Sequence, residues 1–233
     1  YSTAESMKVI NLMGDDQDEL FIQNTSNVTL FDGSGNTLLS QDYQYPKTTL
    51  GDVNGDNKED IVVFYLGDLG YSVDVISDGN IKTLAQNLSI GLPARVIVLR
   101  FASGPQIVLG DSSGGLLSLN LSGQPVWAYS VGSEEIRGMD DALIGGKMHL
   151  AVASHDGWVT VLDSEGKAVW STNQEALRRM RAFDLNSDGN SEIITGGEYG
   201  AHFVYNAVEG SQMYTQGMGQ AVSEVRVVEL NGE

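Results

Sequence analysis

One order of residues comes back five times along this 233-residue chain, and any fold must accommodate that repetition. A polar or charged residue opens each copy: Glu19, Asp60, Gln106, His149 and Glu192, at spacings of 41, 46, 43 and 43 residues. After each comes a short apolar run, a glycine-containing turn, an alternating run, a second glycine turn and a final run. In the first copy these are Leu20 to Gln23, Val28 to Phe31, the turn Asp32-Gly33-Ser34-Gly35, and Thr37 to Leu39. In the fourth they are Leu150 to Ala153, Trp158 to Leu162, the turn Asp163-Ser164-Glu165-Gly166, and Ala168-Val169-Trp170. Runs of four to six residues between turn signals read as strands. A self-similar period of this length marks supersecondary units that cannot bury their apolar faces alone and must stack.

Counting the run that precedes each marker, every unit has four strands in about 43 residues, the size of one β-propeller blade. The expected class is all-β, a propeller of four-stranded blades over roughly 5–45, 46–90, 91–130, 131–172 and 173–217, with a partial unit at 218–233. Residues 224–233 restart the pattern, and Met7 to Asn11 is the same opening element. Both ends thus carry an opening strand, which favours part of a six- to eight-blade ring over a five-blade ring with a spare strand. The one segment expected to be helical, and only briefly, is Gln174 to Arg181.

Two of the five units contain an acidic loop. Asp52, Asn54, Asp56 and Asp60 occupy the first, third, fifth and ninth positions of a loop that runs into Ile61-Val62-Val63-Phe64. The pattern returns 132 residues later as Asp184, Asn186, Asp188, Asn190 and Glu192 before Ile193-Ile194. Alternate oxygen-bearing side chains on a curled loop suit a hard cation such as Ca²⁺, which takes six to eight oxygens at about 2.3–2.6 Å. Lys58, at the seventh position, would contribute only its backbone carbonyl. The first unit has Asn11, Met13, Asp15 and Glu19, where a thioether stands for the third ligand, so a weak site or none is expected. The third unit, with Val98, Arg100 and Ala102, and the fourth, with Asp141, Leu143 and Gly145, should not bind through this loop.

The acidic loops with their following strand resemble the Ca²⁺ loops of FG-GAP repeats, as in integrin alpha-subunit propellers. The Asp/Asn-x-x-Gly turns and terminal Trp127 and Trp170 resemble quinoprotein-type (PQQ-like) blades. The resemblance implies two structural Ca²⁺ sites that tie the turn between the first two strands of a blade. It also implies a non-catalytic binding, adhesion or scaffold module.

A basic residue recurs three positions before the loop: Lys8, Arg95, Arg181 and Arg226, with Arg137 fitting after a one-residue shift. On the opening strand of a blade these side chains would share one depth of a channel. The favoured reading pairs each with the acidic loop of a neighbouring blade; the alternative is a channel mouth that holds an anion. Trp127 and Trp170 are expected between blades; for Trp158 the core is favoured and a place near a face is the alternative. His149, His155 and His202 lack ligand spacing.

Thirteen basic residues against 31 acidic ones give a net charge of −18, which repels nucleic acid and anionic lipid. There is no cysteine, no run of 18 apolar residues, no nucleophile elbow and no dinucleotide or phosphate loop. The start is neither a signal peptide nor a methionine, so a processed or excised chain is expected. Four glycosylation sequons, at Asn24, Asn27, Asn87 and Asn120, lie at or near turns. The expected setting is extracellular or cell-surface, alternatively periplasmic, with a protein or glycan ligand and no nucleic acid or membrane insertion. A quinone-dependent dehydrogenase, a polysaccharide lyase and an assembly or sensor scaffold are the rival readings.

Overall fold

The structure, a computed structural model, describes residues 4–13, 17–217 and 219–226. The described residues contain no helix and form five four-stranded antiparallel sheets. Sheet 1 is β1 (Ala4–Ile10), β2 (Glu19–Asn24), β3 (Asn27–Phe31) and β4 (Thr37–Asp42). Sheet 2 is β5 (Gln44–Gly51), β6 (Asp60–Gly67), β7 (Gly70–Ser77) and β8 (Asn80–Ala85). Sheet 3 is β9 (Pro93–Phe101), β10 (Gly104–Asp111), β11 (Gly115–Asn120) and β12 (Pro125–Ser130). Sheet 4 is β13 (Ile136–Ile144), β14 (Lys147–Ser154), β15 (Trp158–Leu162) and β16 (Ala168–Asn173). Sheet 5 is β17 (Leu177–Phe183), β18 (Glu192–Gly197), β19 (Ala201–Asn206) and β20 (Gln212–Gly217). Strands in each sheet are neighbours in chain order, the meander of a propeller blade.

The chain divides into two compact units: Tyr1–Val98 with Pro105–Ser112 and Leu117–Val126, and Leu99–Gly104 with Ser113–Leu116 and Trp127–Glu233. Within the first, one cluster joins Phe21, Val28 and Leu30 to Ile61, Val63 and Ile76. A second joins Val62, Phe64, Val73 and Val75 to Ile107, Leu109 and Leu119. Alternate residues of β6 therefore serve different neighbours, as the period-2 geometry of a strand requires. Ile61 to Phe64 are all fully buried. In the second unit Ala151, Val159 and Val161 pack with Leu177, Met180, Ile193 and Tyr205.

The short helix expected from Gln174 to Arg181 does not form; the segment enters β17. Leu177 and Met180 are buried three residues apart, a spacing that suits one face of a helix. A register shift between Leu177 and Arg179 explains it, because the extra residue of a bulge returns both side chains to one side of a strand. Equivalent shifts lie in β1, between Ala4 and Ser6, and in β13, between Ile136 and Gly138.

Trp127 and Trp170 sit between sheets and make the same joint. The Trp127 indole N–H donates to the Ser164 carbonyl at 3.2 Å, and that of Trp170 to the Ala207 carbonyl at 2.6 Å. Each ring lies on the glycine of the next sheet's turn. A Cβ on Gly166 would fall 2.5 Å from the Trp127 ring, and one on Gly210 2.6 Å from that of Trp170. Trp158, expected in the core, is instead 37% exposed at the start of β15.

Gly210 and Gly35 are both left-handed, with φ of 70° and 84°, but nothing lies within 4 Å of a Cβ at Gly35. Gly35→Ala should therefore cost only the left-handed strain of about 1–2 kcal/mol. Gly210→Ala should cost clearly more, as measured by urea denaturation of both variants.

Candidate functional site

The two acidic loops share a hydrogen-bonding scheme except at one donor, the fourth position serving the first Asp in one loop and the fifth in the other. In the first, Asp52 accepts the Gly55 N–H at 2.6 Å on Oδ1 and the Asn57 N–H at 3.1 Å on Oδ2. Asn54 Oδ1 accepts the Asp56 N–H, and Asp56 Oδ1 the Lys58 N–H. In the second, Asp184 accepts from Asp188 and Gly189, Asn186 from Asp188, and Asp188 from Asn190. Hydrogen bonds from Asn190, with a smaller contribution from Asn186, hold the Asp188 carboxyl below the usual carboxylate range against the opposing effect of burial.

The loops also share backbone handedness. The fourth and sixth positions are left-handed in both: Gly55 and Asn57 in one (φ 85° and 66°), Ser187 and Gly189 in the other (φ 61° and 85°). Glycine fills one of the two positions in each loop, and it is not the same one.

The closing carboxylates are buried and brace the loop from below. Glu19, Asp60 and Glu192 accept the N–H of Leu12, Val53 and Leu185 at 2.7, 2.8 and 2.9 Å, in each case from the loop's second position. The unit-one loop thus keeps the brace although Met13 interrupts its ligand series; its Asp15 lies outside the described residues. In sheets 3 and 4 the loop is absent. β9 turns into β10 through Ala102 and Ser103, and β13 into β14 through Gly145 and Gly146, both left-handed. Gln106, in the closing position, accepts from Ser118 instead.

Among the described residues, no group of three or more Asp, Glu or His side chains converges as a metal-holding set. The donor chemistry still fits a hard cation. An ionised carboxylate offers about four lone-pair sites, so one N–H per oxygen leaves capacity for a cation. Amide N–H groups meet the carboxylates where positive charge would sit. Asn54 Nδ2 donates to Asp56 at 3.1 Å and lies 3.4 Å from Asp60, and Asn186 Nδ2 donates to Glu192 at 3.2 Å. Asn190, at the seventh position, accepts the Gly145 N–H of the neighbouring sheet on its Oδ1 at 2.8 Å. The Lys58 ammonium pairs with Asp78 at 3.0 Å.

The recurrent basic residues have various partners. Arg181 lies 3.8 Å from Asp140 on β13, while Arg137 reaches Glu135 and Arg226 reaches Glu224, each two residues earlier. None of these three partners belongs to an acidic loop. Arg95 donates to the Ala94 carbonyl and lines a recess of about 260 Å³ with Glu5 and Lys47. Lys8 is exposed on β1.

A larger recess of about 710 Å³, not anticipated from the sequence, opens in the first unit beside Asp42, Tyr43, Gln44, Tyr65, Asp68 and Leu69. Behind it the buried Asp74 carboxylate accepts the hydroxyls of Tyr43 at 3.2 Å and Tyr65 at 3.1 Å. The two rings meet edge to face, with centroids 4.7 Å apart. Burial, reinforced by the Asp74 charge, pushes the Tyr43 phenol up and raises that of Tyr65 to about 12, so both remain donors at neutral pH.

The chain matches no protein-family model and no curated protein sequence. Solved structures match its fold. BBS1N, crystallised in complex with ARL6DN, is 14% identical, with a TM-score of 0.69 over 95% of this chain and 69% of that one. Sqt1 of Saccharomyces cerevisiae is 15% identical, with a TM-score of 0.70 over 92% of this chain and 64% of its own. The computationally designed Ika8 protein is 14% identical, with a TM-score of 0.62 over 97% and 78% of the two chains. The architecture is propeller-like.

Two outcomes follow for stability. Ser187→Gly should raise it by up to about 1 kcal/mol, because the left-handed cost of a side chain exceeds the entropy glycine adds. Tyr65→Phe should lower it by about 1–3 kcal/mol, since buried Asp74 loses one of two donors. Chemical denaturation curves check both.

Proposed function

We propose that this chain is a non-catalytic, calcium-stabilised protein-binding module of propeller type, working outside the cell or at its surface. The observation that carries the metal reading is the scheme shared by the loops at Asp52 and Asp184: same alternate oxygens, same left-handed positions and same buried brace. In this reading Ca²⁺ takes the place of the Asn54 and Asn186 amide N–H groups against the carboxylates. Asp52, Asn54, Asp56 and Asp60 hold one ion with the Lys58 carbonyl; Asp184, Asn186, Asp188 and Glu192 hold the other with the Asn190 carbonyl. The ion supplies positive charge to a loop rich in carboxylates and performs no reaction. Sites of this kind suit millimolar extracellular calcium, with Kd on the order of 10⁻⁴–10⁻³ M.

Protein binding has two supports. BBS1N, of similar fold, is crystallised with a protein partner. The recess beside Tyr43 and Tyr65 adds aromatic faces, amides and the carboxylates of Asp42 and Asp68 in one place, a combination suited to basic or polar side chains.

At ten times Kd each site should add about 1.4 kcal/mol. For a chain of this size that corresponds to a Tm rise of several degrees in total. Asp52→Ala with Asp184→Ala should abolish most of the gain. Scanning calorimetry with calcium and with chelator is the measurement, and superimposable curves for the parent chain would overturn the metal reading.

A further inference from the structure

We propose, on the protein-binding reading above, that the recess beside Tyr43 and Tyr65 takes an arginine side chain of a partner protein. Its lining residues all belong to the first unit. Asp42, Tyr43 and Gln44 lie where β4 passes into β5, and Asp68 and Leu69 form the turn between β6 and β7. At about 710 Å³ the recess falls within the roughly 300–1,000 Å³ of small-ligand pockets, ample for one long side chain and the backbone around it.

The charge of the recess has one sign. Asp42 and Asp68 line it, and none of its lining residues is basic. Asn27 holds the Asp42 carboxylate, donating from Nδ2 to Oδ1 at 2.9 Å. Asp68 is exposed and, among the described residues, makes no hydrogen bond or ion pair. Both of its oxygens therefore stand open to a guanidinium fork, whose paired N–H groups match a carboxylate as an ammonium does not. With a net charge of −18, the chain as a whole also favours encounter with a basic partner.

The wall is aromatic and electron-rich. Tyr65 is half-buried, and Tyr43 fixes it edge to face. Both hydroxyls donate to Asp74, which is 5% exposed and, among the described residues, has no basic partner. A phenol that donates to an anion is polarised toward its ring, and an electron-rich ring draws a guanidinium to its face. Leu69, 65% exposed, offers apolar surface to the methylene stem of the entering side chain. The exposed amides of Gln44 and Gln86 can pair with the backbone that carries it. Charge, fork and ring thus select the same side chain.

Heteronuclear NMR titration tests it in about 0.15 M salt, where attraction beyond roughly 8 Å is screened. The probes are a capped oligoglycine peptide with one central arginine, the same peptide with neutral citrulline, and free arginine. The arginine peptide should shift the amides of Gln44 and Asp68, and citrulline should bind about tenfold more weakly. Asp68→Asn should weaken the arginine peptide by a similar factor. Glu165→Gln, which removes the same charge from an exposed turn of the second unit, should leave it unchanged. Tyr65→Phe, which keeps the ring and loses the Asp74 contact, should weaken binding less than Tyr65→Leu; spectral dispersion checks that each variant is folded. Equal binding of the citrulline peptide at these amides, or an Asp68→Asn chain that binds like Glu165→Gln, overturns the arginine assignment and leaves the recess a protein-binding site. Free arginine that binds as tightly as the peptide overturns the partner. Shifts confined to other surfaces, or none, overturn the proposal and leave the protein-binding reading resting on the fold alone.

Discussion

No sheet here can bury both sides of its second strand by itself, and the architecture answers to that constraint. Ile61 and Val63 point to one neighbour while Val62 and Phe64 point to another, and all four are inaccessible to water. At about 1.5–3 kcal/mol for each fully buried aliphatic or aromatic side chain, one such strand gains far more from its two neighbours than any surface ion pair supplies. Stacking is thus the source of stability, and the turns and loops need only keep successive sheets in register. The tryptophan joints do this with few atoms. An indole N–H fixes the angle through one carbonyl, and a glycine without a side chain lets the ring lie flat on the turn.

The acidic loops are layered in the same way. Their lower half is a buried carboxylate that accepts one N–H, and it is present in three sheets, including one whose upper half has lost its ligand pattern. Their upper half is an exposed set of oxygens held by short-range N–H donors. The brace therefore persists in sheet 1, where the oxygen series of the loop is interrupted at Met13.

Much of this was legible in the residues, for identifiable reasons. Marker residues Glu19, Asp60 and Glu192 open second strands because a buried carboxylate needs a fixed N–H partner, which ties residue type to position. Trp127 and Trp170 were legible because a turn glycine, Gly123 or Gly166, stands four residues before each. The segment at Gln174 to Arg181 was misleading because a bulge mimics helical spacing. The recess at Tyr43 and Tyr65 left no signal: Tyr43 lies between strands, Asp74 interrupts an apolar strand, and their meeting depends on two sheets packing together. Trp158 was misplaced because a large ring at a strand's first residue can turn to either side.

The tight hairpins that replace the acidic loop in sheets 3 and 4 show that the connection between first and second strands is a free length. Strand pairing on either side tolerates an eight-residue arch or a two-residue turn. The arch behaves as a detachable cassette, carrying its own brace and handedness. Grafted between Phe101 and Gln106 with a carboxylate at the latter, it would give sheet 3 a braced acidic arch while leaving the strands that hold the neighbouring sheets in place.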